Sequence, residues 1–172
     1  VCINGIEISK DNYASLYSTL NLDVNNVNIV MLHGQISESI GIDKIKLAKL
    51  RNKNIDYLAL GHVHSYQKDK LDDRGIYAYS GCLEGRGFDE TGPKGFIVLN
   101  IENKKIFPEF INFCYRTINE VEIDISNYKT ISEINKNIKN RLDSKNDIYR
   151  IILVGDISYD LEINAYDIKS YL

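Results

Sequence analysis

A mixed α/β fold follows from three features of the 172-residue sequence. VNIVMLHG (27–34) and IDYLALG (55–61) are continuous apolar runs, too short for helices, and read as buried strands. Between them IDKIKLAKLRNK (42–53) reads as a helix with Ile45, Leu47 and Ala48 inward, so the strand–helix–strand order predicts a parallel pair. Beyond them the pattern changes to strands with short connections.

The elements follow in order. VCINGIEIS (1–9) predicts a hairpin around Asn4-Gly5, a strong two-residue turn signal. Residues 9–20, SKDNYASLYSTL, predict a helix capped at Ser9, with Tyr13, Leu16, Tyr17 and Leu20 at helical spacing. After the two buried strands, GIYAYSG (75–81), GFIVLNIE (95–102) and KIFPEFINF (105–113) read as antiparallel strands. NEVEIDIS (119–126) alternates as a strand with one wet face. TISEINKNIKNRL (130–142) has a capping box, Thr130 to Glu133, and an apolar stripe of Ile131, Ile134, Ile138 and Leu142. DIYRIILVGDIS (147–158) is a strand, and NAYDIKSYL (164–172) begins a helix. The expected division is a first domain over 1–118 and a small α+β domain over 119–172, too small to stand comfortably alone.

Composition narrows the function classes. The chain is 44% hydrophobic and 26% charged, as in an ordinary globular protein. No run approaches the ~20 apolar residues of a membrane span. Cys2, Cys82 and Cys114 are odd in number and widely spaced, which points to reduced thiols and a cytoplasmic setting. A net charge of −3 argues against a protein that simply coats nucleic acid. It leaves room for an enzyme that meets phosphate at one small site, where metal supplies the positive charge.

The three histidines carry the chemistry. His33 ends the first buried strand, and His62 and His64 follow the second through Gly61. Residues i and i+2 of a strand point the same way, and ligands gather at the carboxyl ends of parallel strands. Neutral imidazoles suit Zn²⁺, Mn²⁺ or Fe. All three rings are therefore expected around one cavity. In GCLEGRGFDETGPKG (81–95) the glycines fit a long turn. Arg86 is the candidate phosphate-binding cation, and Asp89 and Glu90 are candidate partners for the histidines. Cys82 reads as filler rather than nucleophile. Tyr66 is a candidate to border the cleft or stack on a base.

Residues 28–118, through IDYLALGHVH and YSGCLEGRGFDETGPKGFIVLNI, resemble the C-terminal half of calcineurin-like metallophosphoesterases, closest to SbcD-like DNA-repair exonucleases. The tail resembles, more weakly, the capping domain of those nucleases. The resemblance implies a two-sheet sandwich, with His33 and His62 on one metal and His64 on the other. It also implies two-metal phosphodiester hydrolysis, Mn²⁺ as the cofactor pair, DNA as substrate and an SMC-like ATPase as partner. The family's upstream D-x-H, G-D-x-x-D and G-N-H-[DE] blocks do not occur here, so no catalytic histidine is assigned. The chain, opening on Val1, is expected to be the C-terminal part of such an enzyme, inactive alone and prone to self-association. A small-molecule phosphodiesterase and a non-catalytic docking module are the alternatives.

Overall fold

The computed structural model describes residues 1–13, 15–157 and 161–172. It is a mixed α/β structure with several sheets and few helices, and divides into two compact units. The first holds residues 1–84 and 94–114, the second 85–93 and 115–172.

The first unit opens with β1 (Cys2–Gly5), a short helix α1 (Leu16–Thr19) and β2 (Asn28–His33). Two-residue strands β3 (Gln35–Ile36) and β4 (Lys44–Ile45) lead to a 3-10 turn over Leu47–Lys49. Then come β5 (Tyr57–Gly61), β6 (Gln67–Lys70), β7 (Ile76–Tyr79) and the hairpin of β8 (Gly95–Glu102) and β9 (Lys105–Asn112). The main sheet runs β1-β2-β5-β7-β6, with β6 alone antiparallel. β2 and β5 are thus adjacent and parallel, with His33 opposite Gly61.

Apart from Met31 and the terminal His33, which are exposed, β2 and β5 bury residues on both faces, which explains their unbroken apolar runs. Val30, Leu32, Leu58 and Leu60 face a core with Leu16, Ile45, Leu50 and Tyr79. Ile29 and Tyr57 face the other way, with Ala78, against Ile97, Leu99, Ile101 and Ile106 of the β8–β9 hairpin. At the opposite end of the strands from the histidines, Arg74 grips Asp56 through two 3.0 Å contacts and reaches the carbonyls of Val24 and Asn26. Asp56 in turn accepts from the Asn28 N–H at 2.8 Å, so one ion pair ties three strand starts together.

Four expectations are corrected. Asn4-Gly5 is no hairpin turn: the chain runs straight on, because β1 pairs parallel with β2 while Ile6 and Ile8 join the core. The helix expected over 42–53 is replaced by β4 and the 3-10 turn. Of the residues expected inward, Ile45 is fully buried and Leu47 partly so, Ala48 is exposed, and it is Leu50 that fills the core instead. The helix over 9–20 shrinks to α1, with Ala14 outside the described residues; the Ser9 side chain caps nothing there, accepting instead from Asp11. GIYAYSG pairs parallel with β5 as well as antiparallel with β6.

The second unit is a strand–helix–strand. β10 (Ile118–Asp124) and β11 (Ile148–Val154) lie parallel, joined through α2 (Ile131–Asn140), and α3 (Ala165–Tyr171) follows. Both halves of the Thr130/Glu133 capping box form. Ile134 and Ile138 are fully buried with Ile123, Ile125 and Ile168. The last residue of the 147–158 stretch lies outside the described residues. Residues 85–93 belong here rather than to the first unit: the Gly92 N–H donates to the Ile118 carbonyl at 2.9 Å, and Phe88 lies under the Arg150 guanidinium, 4.2 Å from the ring centre. No helix among the described residues is long and apolar enough to cross a membrane.

Candidate metal centre

The His33 and His62 rings meet edge to face at the carboxyl ends of β2 and β5, with centroids 5.5 Å apart and planes at 86°. His33 is delivered by the last residue of β2. Its Nδ1 occupies the space above Gly61, where a Cβ would come within 2.7 Å. His62 arrives by another route. The strand stops at Gly61, and His62 takes φ = 110°, a left-handed conformation that is rare and costly for a residue with a Cβ. That single departure turns its ring toward His33. The simple i, i+2 rule for His62 and His64 therefore does not describe this turn.

All three histidines are exposed. No choice of one nitrogen from each ring brings all three within 4.8 Å of one another. His64 sits in a separate set of contacts. Its carbonyl accepts from the Lys94 ammonium at 3.0 Å and from the Cys82 thiol at 3.4 Å. Gly81, at φ = 80°, passes so close beneath that its Cβ would meet the His64 carbonyl at 3.1 Å.

Three residues with no sequence signal shape this end of the sheet. Tyr79, 1% exposed, donates its hydroxyl to the Gly34 carbonyl at 2.8 Å and accepts the Ile36 N–H at 3.0 Å. It thereby fixes the segment that leaves His33. Lys94 is only 3% exposed, so the ammonium that holds the His64 carbonyl is a buried one. Asp43 is the third. The hydrogen bond from Lys44 holds its carboxyl below the usual carboxylate range, and the charge of His62 adds to this. A single tyrosine, lysine or aspartate carries no pattern that links it to histidines ten or more residues away.

Arg86 lies in the second unit, where its backbone N–H donates to Glu90 Oε2 at 2.9 Å. Asp89 and Glu90 belong to the same unit. Tyr66 stacks on Phe110 with centroids 4.5 Å apart, so one ring face is already taken.

A divalent ion suits this donor set. Exposed imidazoles offer neutral nitrogen ligands, and the side-chain-free recess at Gly61 lets the His33 ring lie over the strand end. A stretch of 86 residues, 48% of this chain, is 35% identical to the uncharacterized metallophosphoesterase YhaO of Bacillus subtilis (strain 168). The likeness supports the metallophosphoesterase superfamily. The matched stretch covers 21% of that protein, so the chain spans only a part of its relative's length. No family model matches the chain.

Proposed function

We propose that this chain carries part of the metal site of a phosphodiesterase, with His33 and His62 on one divalent ion and His64 on a second. The observation that carries the reading is the His33–His62 ring pair at adjacent parallel strand ends, in a chain similar to a metallophosphoesterase. Held by these histidines, divalent ions would supply Lewis acidity toward a phosphate ester and would acidify water at the site. The chain's own residues orient the ligands. Gly61 leaves room for the His33 ring, Tyr79 fixes the segment after it, and Lys94 holds the backbone of His64.

The finer reading is a DNA-repair exonuclease that uses Mn²⁺, acts in the cytoplasm and works with an SMC-like ATPase. It rests on the GHVH block and the glycine-rich 85–95 stretch. Three neutral ligands without a bridging carboxylate do not complete a two-metal site. The chain alone is therefore expected to bind Mn²⁺ weakly and to turn over no chromogenic phosphodiester. Supplying a polypeptide with D-x-H, G-D-x-x-D and G-N-H-[DE] blocks is expected to restore hydrolysis that His62→Ala abolishes. Titration calorimetry and the hydrolysis assay together decide it. Strong turnover by the 172 residues alone, or Mn²⁺ binding unchanged in His33→Ala and His62→Ala, sinks the proposal.

A further inference from the structure

Two clefts adjoin beside α1 in the first unit. One, of about 170 Å³, is lined by Tyr13, Tyr17, Lys44, Lys46, Lys49 and the 39–41 turn. The other is lined by Tyr17, Ser18, Lys49 and Lys53. Tyr17 and Lys49 belong to both, so the two clefts adjoin. Lys44 is engaged by Asp43 at 3.3 Å and donates to Gln35 at 3.0 Å. Lys46, Lys49 and Lys53 make no ion pair among the described residues. The Tyr17 hydroxyl accepts the Lys46 N–H at 2.9 Å, which anchors its ring at the groove wall.

Three cations without an ion pair among the described residues thus gather beside two phenol rings, in a chain whose net charge is −3. Like charges lining one surface repel, and nothing in the core requires them. The combination of a positive groove and aromatic faces is the physical requirement for holding a single nucleic-acid strand, with phosphates on the cations and bases against the rings. A concave lining suits a flexible strand better than a flat anionic membrane. The groove begins at Lys44, which is hydrogen-bonded to Gln35 two residues beyond His33. It runs toward Lys53, on the approach to β5.

We propose that the groove formed by Tyr13, Tyr17, Lys46, Lys49 and Lys53 binds single-stranded nucleic acid, independently of any metal. The test uses the full chain in EDTA, with fluorescence anisotropy of a labelled oligothymidylate, so that failure of the metal site leaves the result unaffected. Saturable binding is expected, with a log–log salt slope of about −2 for three phosphate contacts at roughly −0.7 each. The Lys46→Gln/Lys49→Gln/Lys53→Gln variant is expected to bind about tenfold more weakly or worse. Lys49→Gln alone, at an exposed site that leaves folding intact, is expected to lower the slope by about 0.7. Tyr13→Ala removes a stacking face and is expected to weaken binding about fivefold or more. Lys68→Gln/Lys105→Gln, on exposed strand positions elsewhere, is the control and is expected to bind normally. Absence of binding, an equal loss in the control, or tighter binding to phosphatidylserine vesicles than to the oligonucleotide would each overturn the proposal.

Discussion

The His33 imidazole fills the place of a side chain that Gly61 lacks: its Nδ1 would stand 2.7 Å from a Cβ at position 61. The two residues are cross-strand partners in register. The absence of a side chain on one strand thus sets the position of a candidate ligand on the next.

Gly61→Ala is accordingly expected to separate site geometry from stability. Gly61 does not have a positive φ, so alanine meets no backbone penalty, and the clashing atom is a side chain that can rotate away. The expected cost in urea unfolding is about 1 kcal/mol or less. Mn²⁺ affinity measured by calorimetry is expected to fall about tenfold, the usual scale for a displaced ligand or a lost supporting contact. Unchanged affinity would show that the ring position does not matter.

Tyr79→Phe is expected to damage both. The hydroxyl is a buried donor to Gly34 and acceptor from Ile36, and losing it leaves two backbone groups without their partner. That costs about 1–3 kcal/mol, readable as a lower urea midpoint with an unchanged slope. Because Gly34 follows His33 directly, metal affinity is expected to fall as well.

Alkaline pH is expected to weaken the fold through Tyr57. Burial, with a smaller contribution from Tyr66, pushes its phenol up to about 12 from 10.0. Between these values the unfolded chain has lost the proton and the folded chain retains it. Stability is therefore full below pH 10 and falls as pH rises toward 12, by about 2–3 kcal/mol in all. Burial raises the Tyr79 phenol too, so the two effects reinforce each other. Melting temperatures across this range should drop steeply in the parent chain and less so in Tyr57→Phe.

Self-association is expected at micromolar concentration, through β1 rather than through β2 or β5. Both of those strands are interior, paired on each side. The true edges differ in chemistry. β6 presents exposed Lys68, Asp69 and Lys70, charges that discourage pairing. β1 has no charged residue, its own Ile3 is 64% exposed, and Met31 on the neighbouring β2 is 50% exposed. Sedimentation should show a dimer that Ile3→Lys/Met31→Lys disperses; a monomer in the parent chain would contradict it.

Legibility in the sequence followed how local the cause was. β2 and β5 were readable because burial on two faces leaves an unbroken apolar run, and α2 because its capping box lies within four residues. β4 and the 3-10 turn were misread because Ile45, Leu47 and Leu50 suit a helix stripe nearly as well as a strand end and a turn. Partner choice was invisible for β7, since periodicity reports a strand but not its neighbours. At the site, the placement of histidines at strand ends was readable. The positive φ of His62, the reach of Tyr79 to Gly34 and the buried Lys94 all depend on contacts between distant segments, and no local pattern encodes them.

The second unit takes its residues from two separate stretches, 85–93 and 115–172. The chain therefore passes between units after Glu84, Pro93 and Cys114, three crossings in place of one. A tail joined by a single linker can be lost, duplicated or exchanged between genes as a cassette. This one cannot. Cutting the chain at Cys114 leaves the Gly85–Pro93 strip stranded on the first unit's side and deprives Ile118 and Arg150 of Gly92 and Phe88. Heredity must transmit the two units together, and a change in one is inherited with the strip that belongs to the other.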